Sequence, residues 1–142
     1  MKRNLLMPTL LALTITATIF SGCAKLQPGA DPIVVRAEQL ETTAYSTFDT
    51  FLKLDDIAMA NTTIAPTWTN SAHPFATYLR KPVQNGTNTV PFGIATVLSL
   101  DQVKLAYQAG TTSSNALVTA ITVLTTTISQ VSQYTSLIST NK

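Results

Sequence analysis

Two residues with catalytic or metal-binding potential each occur once: Cys23 is the only cysteine and His73 the only histidine in 142 residues. Neither can find a second of its kind in the chain, so a Cys/His transition-metal set cannot be assembled. His73 stands beside Pro74 near an expected helix start, where a capping or surface role accounts for it. Glu38 and Glu41 have the i,i+3 spacing seen in carboxylate metal bundles. Those bundles pair such glutamates with Glu-x-x-His motifs, and none occurs here, so the two are expected to be solvated charges. Asp55 and Asp56 are adjacent, which on a helix makes their side chains diverge by about 100° and leaves a poor acid/base pair. Serine and threonine are abundant, yet no Gly-x-Ser-x-Gly elbow and no Ser/His/Asp set can be read. With five glycines in all, a glycine-rich phosphate loop is absent too. The expectation is a protein that is not an enzyme and uses no metal or cofactor.

Contact chemistry is the alternative, and two places offer it. Trp68, in Thr67-Trp68-Thr69-Asn70, is expected in a loop, close in sequence to His73, Phe75 and Tyr78. A loop tryptophan either plugs the end of a helical bundle or anchors a partner. Arg80-Lys81 follows Tyr78 at the end of an expected short helix. Two cations there complement the helix dipole, or they meet lipid headgroups or an anionic wall polymer.

The N-terminus has the three-part build of an export signal. Lys2 and Arg3 form a basic start, and Leu5 to Phe20 is an uncharged, mostly apolar run. Ser21 and Gly22 supply the small residues a peptidase needs. The run is too short and too Thr-rich for a permanent span, which takes roughly 20 strongly apolar residues. Its ending, Phe20-Ser21-Gly22-Cys23, resembles the lipobox of bacterial lipoproteins, and the resemblance covers the signal only. It implies diacylglyceryl transfer to the Cys23 sulfur, cleavage between Gly22 and Cys23, and acylation of the new amino group. A lone cysteine in an exported chain has no internal disulfide partner, which fits that use. Each buried methylene contributes ~0.8 kcal/mol, so two or three acyl chains make a durable anchor.

Residues 1–22 are thus read as the signal, 23–30 as a lipidated tether and 31–142 as the domain. Ala24 to Ala30 can stretch to ~25 Å at most. If the host is Gram-negative, Ala24, where an aspartate would favour inner-membrane retention by analogy with lipoproteins, points to the outer membrane, on its periplasmic or surface face. Loss of Lys2 and Arg3 leaves seven basic and seven acidic residues, and only 11% of the chain is charged. A nucleic-acid partner is excluded by the lack of a basic surface.

The elements that must position these residues read as helices. Asp31-Pro32 is an N-cap followed by proline at the first helical position. Ile33, Ala37, Leu40, Ala44, Phe48 and Phe51 then mark one face of a helix to about Met59, with Glu41, Asp49, Lys53 and Asp56 facing away. A short helix is expected from about Pro74 to Lys81, stopped by Pro82, and Asn85-Gly86 marks a turn. The segment 91–108 is a third helix, with Ile94, Ala95, Leu98, Leu105 and Ala106 on one side and Gly110 as its cap glycine. The last helix opens at Ser113 or Ser114 and reaches about Ser139. Its threonines disfavour it by ~3 kcal/mol relative to alanine. Leu117, Ile121, Leu124, Ile128, Val131 and Ile138 nevertheless keep a 4-3-4-3 step. The chain is free of charge from Leu105 to Asn141, but Gln130, Gln133 and the many Ser and Thr residues argue against a second membrane span.

The expected architecture is all-α: a small antiparallel bundle of three long helices and one short, behind a cleaved lipoprotein signal. The heptad-like step is read as a core within one molecule, with oligomeric state open. Function is expected to be that of a lipid-anchored envelope protein, held to the membrane through Cys23. Its non-catalytic domain would have a structural or protein-interaction role, with Trp68, Tyr78, Arg80 and Lys81 as contacts for an envelope partner. Two alternatives stay open: a phage or prophage lipoprotein acting in superinfection exclusion or lysis, and a bundle that binds a hydrophobic ligand.

Overall fold

The computed structural model describes residues 30–140, with side chains through Ser136. The signal, Gly22, Cys23 and most of the tether, and the side chain of Ile138, lie outside the described residues. The elements are α1 (Pro32–Ala60), α2 (Ala65–Arg80), β1 (Pro82–Asn85), β2 (Asn88–Pro91), α3 (Phe92–Gln108) and α4 (Ser114–Thr140). The fold is an all-α bundle with one small hairpin.

Helix α1 starts where its cap dictates. Asp31 Oδ1 accepts the Ile33 backbone N–H at 2.9 Å, and Pro32 occupies the first turn. Its inward stripe is Val34, Ala37, Ala44, Phe48, Phe51, Asp55 and Ala58, so an aspartate occupies a core position. Lys53 and Asp49 pair at 2.6 Å on the exposed side.

The long helices run in directions fixed by a few contacts. The Tyr107 hydroxyl at the end of α3 donates to Asp31 Oδ2 (2.8 Å), and Gly93 at its start faces Phe48, so α3 is antiparallel to α1. Helix α4 returns alongside, its Tyr134 ring 6.4 Å from Phe51, and therefore runs the same way as α1. Leu117, Ile121, Leu124, Ile128 and Val131 are all buried, so the 4-3-4-3 step holds over the described side chains. The threonines are accommodated because their hydroxyls bond the carbonyl four residues back: Thr119, Thr122, Thr125, Thr126, Thr127 and Thr135, at 2.7–3.1 Å. Among the described residues no helix is long and apolar enough to cross a membrane.

Helix α2 departs from the expectation of a loop through Asn70 and a helix from Pro74. It begins at Ala65, with Asn61 bonding the Thr63 N–H (2.9 Å) in the preceding turn and Pro66 in the first turn. Pro74 sits inside it. An interior proline costs about 3 kcal/mol where its turn is dry. Here Asn70, whose carbonyl loses its partner, is exposed to water, as is Pro74. The continuous stripe Trp68, Ala72, Ala76, Leu79 offsets the rest by burial. Trp68 therefore lies on a helix and not in a loop.

Between α2 and α3 the Asn85-Gly86 turn closes a β-hairpin, which the sequence reading did not include. Asn85 faces Asn88 across Gly86-Thr87, and Gly86 has φ 62° with Thr87 on the negative side, the pattern of a type II′ turn. Pro82 pairs with Pro91 at the open end, which blunts both edges against further strands.

The inward face of α3 also needs correction. Gly93, Val97, Leu100 and Lys104 are buried, whereas Leu105 is 56% exposed. The true stripe is offset by about one residue, or 100°, from Ile94, Leu98 and Leu105. Two things turn it. Gly93 lets the backbone approach so closely that a Cβ there would stand 3.3 Å from Phe48. Lys104 supplies a buried charge pair that a count of apolar residues overlooks.

Candidate functional site

The densest polar constellation forms where α2 meets α1. Asp55 is 1% exposed. Its Oδ1 accepts the Trp68 indole N–H at 2.6 Å and stands 2.9 Å from His73 Nδ1, which is also 3.2 Å from Oδ2. Arg80 donates one guanidinium nitrogen to Asp55 Oδ2. It gives the other to the Leu52 carbonyl (2.9 Å) and to Asp56 Oδ1 (2.6 Å). An ionised carboxylate only accepts, so His73 Nδ1 carries a proton and Nε2 is its remaining ring nitrogen.

Trp68 and Arg80, with His73 between them, lie twelve residues apart on α2, about 18 Å of helix, yet all three reach one side chain of α1. Helix α2 is therefore pinned to α1 around Asp55 from both ends. Phe51, Phe75 and Tyr134 complete the junction, with ring centroids 6.1 Å (Phe51–Phe75) and 5.3 Å (Phe75–Tyr134) apart. Burial pushes the Asp55 carboxyl up. The bonds from Arg80, His73 and Trp68, with the charge of His73, outweigh that and hold it below the ordinary 3.8.

A second ion cluster ties α3 to α1. Lys104 Nζ lies 2.8 Å from Glu41 Oε2 and 3.0 Å from Asp101 Oδ1. Burial pushes the ammonium down, and the bonds to Glu41 and Asp101 reverse it, so its pKa is raised above 10.5. Glu41 Oε1 is buried without a donor among the described residues. Glu41 is thus no solvated charge, contrary to expectation, while Glu38 is exposed beside Asp31 and Tyr107. Tyr107 is itself pushed up by its bond to Asp31 and by that carboxylate's charge.

Of the four residues expected to meet a partner, three converge. Tyr78, Arg80 and Lys81 line one open groove of about 540 Å³ with Pro74, Thr77 and Pro82. The Tyr78 ring rests 4.4 Å from Phe92 and 6.2 Å from Phe75 and is still 45% exposed. Trp68 is not part of it: at 2% exposure, with its N–H on Asp55, it plugs the core and presents nothing to a partner. Arg80 has a structural task as well, which a reading based on helix dipole or headgroups did not foresee. His73, expected at a cap or on the surface, is half-buried inside α2 as part of the Asp55 cluster.

The Asp55 cluster had one visible signal. Asp55 continues the step of Ala44, Phe48 and Phe51 towards Ala58, which places a carboxylate on the inward face. Its partners, 13, 18 and 25 residues on, have no such mark. No protein family, curated protein or solved structure matches the chain.

Proposed function

We propose that the protein is a membrane-anchored envelope lipoprotein whose helical domain holds another surface component without catalysing a reaction. The observation that carries the anchoring is the sequence Phe20-Ser21-Gly22-Cys23 behind a basic and apolar start, with its single cysteine. The cap of α1 at Asp31 supports it, since it stands eight residues beyond Cys23.

Two observations support a binding role. The Asp55 cluster spends its donors on holding α2 to α1, which is structural work. The groove of Tyr78, Arg80 and Lys81 lies against Phe92 at the start of α3, which faces Phe48, roughly 26 Å along α1 from Asp31, where the tether enters. A domain tethered at Asp31 thereby carries its groove well away from its anchored end. Labelling cells with a radioactive fatty acid tests the anchor: wild-type chain should take label and Cys23→Ser should not. Label retained by the variant would overturn the reading. In-cell crosslinking from position 81 should give a defined product that Tyr78→Ala removes.

A further inference from the structure

We propose that the groove at the end of α2 is a binding site for an anionic glycan, a sugar chain carrying carboxylate groups; this rests on the binding role above and names its ligand. The floor is preorganised. Tyr78 is set against Phe75 and Phe92, and Pro74 and Pro82 are stiff. The Arg80 side wall is fixed by Asp55, Asp56 and the Leu52 carbonyl.

Three polar groups in this groove have no partner among the described residues: Thr77 Oγ1, Tyr78 Oη and Lys81 Nζ. Thr77 differs in this from most of the threonines along α4, whose hydroxyls bond the carbonyl four residues back. Two hydroxyls that both donate and accept suit a polyol, and an exposed aromatic ring suits the apolar face of a sugar. The ammonium supplies the complement to a carboxylate, because Arg80 beside it is already neutralised by two aspartates. The groove is open along one side, which leaves room for a sugar within a longer chain. An acidic peptide would satisfy Lys81 but would leave the hydroxyl pair and the ring face unused.

The test uses the full chain in detergent, isotopically labelled for NMR, titrated with digalacturonate, a neutral glucose disaccharide and hexaglutamate. Digalacturonate should shift the amides of Thr77, Tyr78 and Lys81 saturably. Lys81→Gln should weaken it about two- to fivefold, as for an exposed ion pair, and abolish its salt dependence. The neutral disaccharide should bind wild type with that same reduced affinity. Tyr78→Leu should weaken both sugars by about two- to tenfold. Lys81 is exposed, so Lys81→Gln and Thr77→Val carry the test should Tyr78→Leu fail to fold. Unsaturable or scattered shifts, indifference to Lys81→Gln, or hexaglutamate binding more tightly than digalacturonate would each overturn the assignment. Binding in detergent is read whether or not Cys23 is lipidated, so this failure and failure of the anchor are separate results.

Discussion

Replacing Asp55 by alanine removes one acceptor from three donors at once. The Trp68 indole N–H is then buried with nothing to bond, which costs about 1–3 kcal/mol. Arg80 is 35% exposed and keeps Asp56 and the Leu52 carbonyl, so its loss is near the ~1 kcal/mol of a surface pair. His73 is equally exposed and can turn to water. The total is about 2–4 kcal/mol, a large share of the ~5–15 kcal/mol that holds such domains together. For a domain of this size it lowers the melting temperature by roughly 10–20 °C. Asp49→Ala, which breaks an exposed pair on the same helix, should cost no more than ~0.5 kcal/mol.

The sign with pH follows from the depressed Asp55 carboxyl. Its contribution is present above the unfolded value of about 3.9 and is lost as pH falls through the lower folded value. Urea unfolding should therefore show the gap between wild type and Asp55→Asn to shrink as pH falls from about 5 towards about 2. If Asp55→Ala proved no worse than Asp49→Ala, the junction would not be held by its carboxylate and the reasoning would fail.

The other ion cluster gives a complementary prediction. Lys104→Ala strands Glu41 in the core and should cost about 3 kcal/mol, while pairing Lys104→Met with Glu41→Leu should recover most of it by denaturant titration. With its pKa raised, Lys104 contributes stability that is complete below about pH 10 and lost as pH rises through the folded value. On α3, Leu100→Ala should cost about 2–5 kcal/mol and Leu105→Ala less than ~0.5 kcal/mol in thermal unfolding; equal costs would restore the face expected from the apolar count.

Much of this fold is written locally. Asp31-Pro32 starts α1, Gly110 with φ 70° follows the end of α3, and the 4-3-4-3 step defines α4, because caps and periodicity act within one or two turns. Only the anchoring reading is also local, a run of residues ending at Cys23.

Other features belong to the tertiary structure. Helix α2 survives Pro74 because packing of Trp68, Ala72, Ala76 and Leu79 outweighs a local penalty that would otherwise end it. Helix α3 turns about 100° from its most apolar side because Gly93 meets Phe48 and Lys104 meets Glu41, 63 residues away. The sequence thus determined α1, α3 and α4 as helices and which residues bear charge. The packing of α2 on α1 decided the rest, drawing Trp68, His73 and Arg80 onto Asp55 and leaving Tyr78 and Lys81 at the surface. A buried charge takes its partner from whatever the packing brings within about 3 Å, and that proximity is a property of the assembled helices.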